Sequence, residues 1–239
     1  MPASGISPRK PPWPAPSLIS MFSTPTMRKV FAAKLSGACS GASCGKGKPK
    51  KLAGSPNEAS SIEALARERR GELVAIGEVG LDHWMVKDEA GRSLQRVLFE
   101  RFVALAAELD LPLNVHSRST GRETIAVLLD RGARRVVLHA FDGRASTAAP
   151  AVEAGYFFSV PPSVVRSAQK RKLVARLPLA CLLLETDSPV LGPEPGVRNE
   201  PANLRLSLQA VAEIKGMPEE ALAETIAENT RRLFGDRIV

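Results

Sequence analysis

The chain contains three histidines, and two of them stand at the same point of a repeating pattern. His116 follows the apolar run Leu111–Val115, and His139 follows Val136–Leu138. Glu78 comes one glycine after Leu73–Ile76, and the triplet Glu185-Thr186-Asp187 comes directly after Cys181–Leu184. Imidazoles and carboxylates recurring behind short apolar runs are the donor types of a mixed nitrogen and oxygen site for Zn²⁺, Mn²⁺ or Mg²⁺. A lone histidine after a strand is ordinarily a core or loop residue. Two of them, with acids at equivalent points, indicate metal binding. His83 follows Gly80-Leu81-Asp82, reads as a loop residue and is expected not to ligate.

The elements that would carry these residues are short. Leu73–Ile76, Leu111–Val115, Val136–Leu138, Gly155–Val160 and Cys181–Leu184 are apolar without strict alternation, as strands buried on both faces of a parallel sheet are. Helical spacing fills the intervals over Ser60–Arg70, Ser93–Leu109, Gly121–Arg131, Arg144–Ala154 and Ser167–Leu177. Two more helices follow, Leu204–Lys215 and one from Pro218 to about Phe234. This alternation predicts an α/β chain with a parallel sheet, either a doubly wound open sheet or a (β/α) barrel. No G-x-G-x-x-G follows a strand, which weakens the open nucleotide-binding sheet. In a barrel the strand ends converge at the C-terminal mouth, and Glu78, His116, His139 and the acids of Glu185-Thr186-Asp187 would meet there.

Charge divides the chain. Residues 1–57 hold nine Lys/Arg and no acid, whereas 58–239 hold 24 Lys/Arg against 25 Asp/Glu. The net charge of +8 therefore belongs to a Pro/Gly/Ser-rich segment at 1–57, expected to be a disordered tail, and not to the domain expected at 58–239. Its lack of acid also fits an organelle-targeting segment, so an intracellular home in cytoplasm, nucleus or mitochondrion is expected. Cys39, Cys44 and Cys181 are too few and scattered for a disulfide framework. No run of apolar residues reaches membrane-spanning length. Gly41-Ala42-Ser43-Cys44-Gly45 fits the letters of a nucleophile elbow, but Gly/Ser precedes it and Lys/Gly/Pro follows, where strand and helix are needed. The same stretch is one residue short of a phosphate loop.

Four motifs carry a family resemblance. Gly77–Asp82, Asn114–Arg118, Leu138–Gly143 and Leu184–Pro189 resemble, in order and spacing, the TatD family of metal-dependent deoxyribonucleases. Arg198–Pro201 and Glu228–Phe234 resemble that family's closing blocks, while Ser159–Ser163 and Leu191–Glu194 resemble those of an animal branch of it. The resemblance covers about residues 60–239. It implies a (β/α) barrel of the amidohydrolase type, up to two divalent ions and hydrolysis of phosphodiester bonds, with DNA as the natural partner. It implies Glu78 as a carboxylate bridging two ions, and His116 and His139 as ligands of one. Asp187 is implied as ligand of the other and acceptor of the water proton. Arg118 is placed either to hold a phosphate oxygen or to make a structural salt bridge.

One part of the pattern is broken. The family opens with an H-x-H pair, yet no histidine precedes His83 here. At about 30 residues per β–α unit, 58–239 gives roughly six units where a closed barrel has eight. An incomplete barrel is expected, with an unpaired edge at Leu73–Ile76 or with Ser17–Ser36 packed into the gap as a short helix. Two functions follow from this pattern. One is a metal-dependent nuclease with one firmly held ion; the other is a metal- or phosphate-binding domain with a basic arm and little or no turnover.

Overall fold

A computed structural model describes residues 31–32 and 56–235 of the 239-residue chain. The expected disorder of the tail lies outside the described residues. Six parallel strands lie in chain order: β1 (Phe31–Ala32), β2 (Ile76–Asp82), β3 (Leu113–Arg118), β4 (Val136–Leu138), β5 (Phe157–Val160) and β6 (Leu182–Leu184). Helices separate them: α1 (Pro56–Glu68), α2 (Glu89–Glu108), α3 (Gly121–Asp130), α4 (Ala145–Glu153) and α5 (Ala168–Arg176). Two more, α6 (Leu204–Lys215) and α7 (Glu219–Phe234), follow β6. Parallel neighbours in chain order joined by helices are the construction of a (β/α) barrel. Among the described residues β1 and β6 do not pair, so the described strands form an unclosed sheet.

Two expectations are corrected at the first edge. β2 does not coincide with Leu73–Ile76; it begins at Ile76 and runs to Asp82. The run Leu73–Ala75 is buried core ahead of the strand, and Gly80-Leu81-Asp82 is strand and not loop. Nor is this edge bare: part of Ser17–Ser36 covers it, as the second alternative expected, with Phe31 paired to Ile76 and Ala32 to Gly77. Residues 31–32 are thus strand where a helix over Ser17–Ser36 was expected; the rest of that stretch lies outside the described residues. A parallel partner satisfies the backbone groups that the edge of β2 would otherwise present.

Period-two alternation divides the sheet's two faces. Leu138, Phe158, Leu182 and Leu184 join Phe99, Phe102 and Leu128 in the main core beneath the helices. Val137, Phe157 and Leu183 point the other way and are covered by Leu233 and Phe234 of α7. His139, Ser159 and Glu185 are each two residues further along, so they continue this second face towards the mouth. The ladder supports the count: the His139 amide donates to the Val115 carbonyl at 2.9 Å, and the Glu185 amide to Val160 at 3.3 Å.

Candidate metal centre

Glu78, Gly80 and Asp82 share one face of β2, and His116 and Arg118 share one face of β3. Gly80 lies opposite His116 in the register. Its φ is +145°, and a Cβ there would lie 2.0 Å from the His116 carbonyl oxygen, so only glycine lets the strands meet so closely. The approach seats the His116 ring between two carboxylates of β2. Its Nδ1 is 2.8 Å from Glu78 Oε1 and its Nε2 is 3.1 Å from Asp82 Oδ2. Glu78 and His116 therefore lie within strands, not just beyond them. Polar ligands inside a strand interrupt the apolar run that marks it, which is why the run ends early in sequence.

His139 is set by the later strands of the sheet. Its Nδ1 lies 2.5 Å from Glu185 Oε2, which also accepts the Ser159 hydroxyl at 2.7 Å. With Nδ1–H donated to Glu185, the Nε2 lone pair is left towards Glu78 Oε1 at 3.8 Å and Asp187 Oδ1 at 3.6 Å. The two imidazoles face each other with centroids 6.4 Å apart. One ligand atom from each of Glu78, His116 and His139 lies within 4.8 Å of the other two. The separations of 2.8 and 3.8 Å at Glu78 Oε1 bracket the roughly 3.3–3.6 Å between donors around a tetrahedral ion bound at about 2.0–2.2 Å. A carboxylate and two imidazoles, each imidazole held by a carboxylate at its other nitrogen, fit a divalent cation.

Charge accumulates here. Burial disfavours the imidazolium of His116, but its bonds to Asp82 and Glu78 outweigh this and raise its pKa to about 9. Burial opposes protonation of His139 too, and the surrounding Glu185, Asp187 and Glu78 overcome it, lifting the pKa well above the usual imidazole range. Burial likewise disfavours ionised Asp82; the bonds from His116 and the Met85 amide prevail and keep its pKa low. Without a metal, protons on the histidines balance the acids. A cation would replace them.

The structure brings together Glu78, His116 and His139, with Asp187 on the turn beyond β6. That turn is clamped by buried Asn199, whose Nδ2 donates to the carbonyls of Thr186 at 2.5 Å and Val190 at 2.8 Å. Asp187 and Ala140, the residue after His139, both have left-handed φ, 50° and 44°. Lys170 Nζ donates to the Ala140 carbonyl at 3.0 Å; burial lowers its pKa, countered by the charges of Glu185, Asp142 and Asp187. Arg118 makes no salt bridge among the described residues; its guanidinium carbon lies 3.8 Å from the centre of the Trp84 ring. His83 stands apart, 3.7 Å from Glu123, as expected of a non-ligand.

Four residues at the site have roles that sequence reasoning missed: Asp82, Glu185, Asn199 and Lys170. Asp82 and Glu185 stand inside the quoted motifs, and the four-residue step from Glu78 to Asp82 on one strand face would have signalled the first. Nothing local marks Lys170, which sits in a run of cations typical of a solvated helix.

Residues 33–235 match the family described as TatD-related DNase. Deoxyribonuclease TATDN3 of Homo sapiens is 52% identical over 167 residues, 69% of this chain and 61% of that protein. YabD, a metal-dependent hydrolase of Bacillus subtilis (strain 168), is 36% identical over 170 residues, covering 68% of this chain and 66% of that one. The crystal structure of YjjV, a TatD homologue from Escherichia coli K12, aligns with a TM-score of 0.69 at 30% identity over 76% of this chain and 71% of that one. The chain spans 58–65% of the length of the vertebrate relatives it matches. Among the described residues no helix is long and apolar enough to cross a membrane.

Proposed function

This chain belongs to the TatD-related DNase family, and from that premise we propose that it hydrolyses phosphodiester bonds of DNA with a divalent ion, Mg²⁺, Mn²⁺ or Zn²⁺, using residues 58–239 as the catalytic unit and 1–57 as a basic arm. The observation that carries the reading is the convergence of Glu78, His116 and His139 on one point. These three would hold the ion. When bound it lowers the pKa of water and stabilises charge on phosphoryl oxygens. Asp82 and Glu185 keep the imidazoles turned, each holding the nitrogen that faces away. Asp187, beside His139 Nε2, accepts the proton of the attacking water. Arg118 contributes a cation for a phosphate oxygen from the rim. Nine cations at 1–57 add sequence-independent attraction to DNA, and the scattered cysteines and acid-free N-terminus accord with a place inside the cell.

A second ion would have Glu78 and Asp187 but no H-x-H imidazoles in this chain, so it would be held loosely, with water filling its shell. That shortage favours a second reading, a metal- or phosphate-binding protein with little turnover. Metal analysis of the purified chain together with cleavage of end-labelled DNA, with and without chelator, separates the two. One bound ion with chelator-sensitive cleavage supports the hydrolase; one bound ion without cleavage supports the binding protein.

A further inference from the structure

Behind His139 stands a lysine that the hydrolytic roles leave unused. β4 ends at Leu138, and the His139 amide still bonds to the Val115 carbonyl, at 2.9 Å. The next residue, Ala140, turns the chain with a φ of +44°, a left-handed conformation that is costly for any residue with a Cβ. Alanine has no side-chain oxygen to bond its own backbone, as Asn or Asp has, so this peptide is held by its neighbours. Its amide donates to Ser159 Oγ at a long 3.4 Å, and the Ser159 hydroxyl donates on to the Glu185 oxygen that binds His139 Nδ1. Its carbonyl accepts Lys170 Nζ at 3.0 Å. Gln169 Nε2 donates to the carbonyls of Asp142 and Gly143 at 2.7 and 2.8 Å. Between these anchors Phe141 is buried, edge-on to Phe158, and a Cβ at Gly143 would lie 2.4 Å from its ring.

Both donors come from the first turn of α5. Ser167 caps that helix, its Oγ accepting the Lys170 amide at 3.2 Å, so the turn starts at a fixed point. A lysine on a helix ordinarily keeps its ammonium in water. Lys170 turns it inward, where burial disfavours the charge and Glu185, Asp142 and Asp187 favour it. We propose that Lys170, seconded by Gln169, forms a clasp that positions the metal centre, fastening the peptide after His139 so that the imidazole meets the ion from a fixed direction. The proposal rests on the hydrolase reading and adds an outer support to that site. Glu185 sets the rotation of the ring, but the ring pivots about a Cβ whose place is decided by the backbone at 139–140. Without Lys170 the left-handed turn loses the bond that holds its carbonyl. The peptide then relaxes, and His139 leaves the point it shares with Glu78 and His116.

Co²⁺ is the probe, because its visible absorption changes with the number and directions of its ligands. Lys170→Met keeps the length of the side chain and removes donor and charge; Lys170→Arg restores both. In full-length Lys170→Met the Co²⁺ spectrum should shift, and affinity by chelator competition should fall about tenfold, the lower end of what supports of metal-bound histidines contribute. With saturating ion, kcat on end-labelled DNA should fall and KM stay unchanged, because the groups that meet substrate are untouched. Lys170→Arg should recover most of the spectrum and the affinity, and Lys172→Met, exposed on the same helix, should alter neither. Gln169→Met, at an exposed position where folding is not at stake, should reproduce the spectral shift to a smaller extent. An unshifted spectrum in either Lys170→Met or Gln169→Met, or a Lys170→Arg chain as weak as Lys170→Met, would overturn the clasp. Such a result with Co²⁺ bound and DNA cleaved leaves the hydrolase standing, whereas an unaltered chain that binds no Co²⁺ defeats the metal centre and the clasp with it.

Discussion

His116 is held by a carboxylate four residues beyond Glu78 on the adjoining strand, whereas His139 is held by one just past the end of β6, two strands away. Asp82 engages Nε2 and leaves Nδ1 for Glu78; Glu185 engages Nδ1 and leaves Nε2 for Glu78 and Asp187. The device is the same and its construction differs. The His116 half needs one strand pair in register, with Gly80 permitting the contact. The His139 half needs β4, β5 and β6 in place together, because Ser159 of β5 shares the Glu185 oxygen that orients His139. The first half also carries the exposed rim of Trp84 and Arg118, while the second is the more enclosed and carries Asp187. Under the proposed function, the first half meets substrate and the second sets the chemistry.

The largest effects should come from removing what the two halves share. His116→Ala and His139→Ala are each expected to abolish the firmly held ion and reduce cleavage of end-labelled DNA by at least a thousandfold, since several kcal/mol of charge stabilisation go with the metal. Metal content by elemental analysis checks this directly. A full complement of metal in either variant would mean that the halves do not form one site. Asp187→Ala should behave differently, keeping one ion per chain while turnover falls by about 10²–10⁴, the usual contribution of a positioned proton acceptor. Metal loss in Asp187→Ala would instead make it a ligand of the firm site.

The contrast also bears on what could be seen in the sequence. Glu78, His116, His139 and Asp187 were legible because each follows an apolar run, a local signal. The helices were legible too, and Leu204–Lys215 has the bounds expected from its spacing. What stayed hidden depends on neighbours distant in the chain. Glu185 becomes the support of His139 through a side-chain contact across 46 residues, and Lys170 reaches Ala140 across 30. β1 is two residues long, too short for any periodicity to reveal. The bounds of β2 were missed for another reason. Its glycines and acids are what a strand requires when one face is a ligand site, and they are also the residues that ordinarily end one.

A smaller effect tests whether the two supports are equivalent. Replacing a residue that orients a metal-bound histidine typically costs ten- to a hundredfold in metal affinity. Glu185→Ala removes a support to which His139 and Ser159 both bind, and the upper end of that range is expected. Asp82→Ala removes the partner of His116, the more exposed of the two rings at 20% against 11%, so the lower end is expected. Titration with a competing chelator gives both affinities. Equal losses would show that enclosure makes no difference, and a larger loss in Asp82→Ala would reverse the comparison.

A last effect is one of pH, and its sign depends on the metal. In the metal-free chain, burial disfavours the charged ring of His116, but its bonds to Asp82 and Glu78 prevail and its folded pKa is raised to about 9, against about 6.5 when unfolded. A raised folded pKa gives stability that is complete below the unfolded value and is lost as pH climbs through the folded one. The metal-free chain should therefore melt progressively lower between about pH 6.5 and 9. From the His116 shift the loss is on the order of 3 kcal/mol, or several degrees for a domain of this size. His139, raised for similar reasons, changes in the same sense. With a saturating divalent ion the slope should reverse. The ion needs neutral imidazoles, so its binding, and the stability that binding confers, strengthens over the same window. Thermal melts at pH 6.5 and 9, with chelator and with ion, provide the four values required. Parallel slopes in the two series would mean that the ion does not displace the protons of His116 and His139, and the site would lie elsewhere.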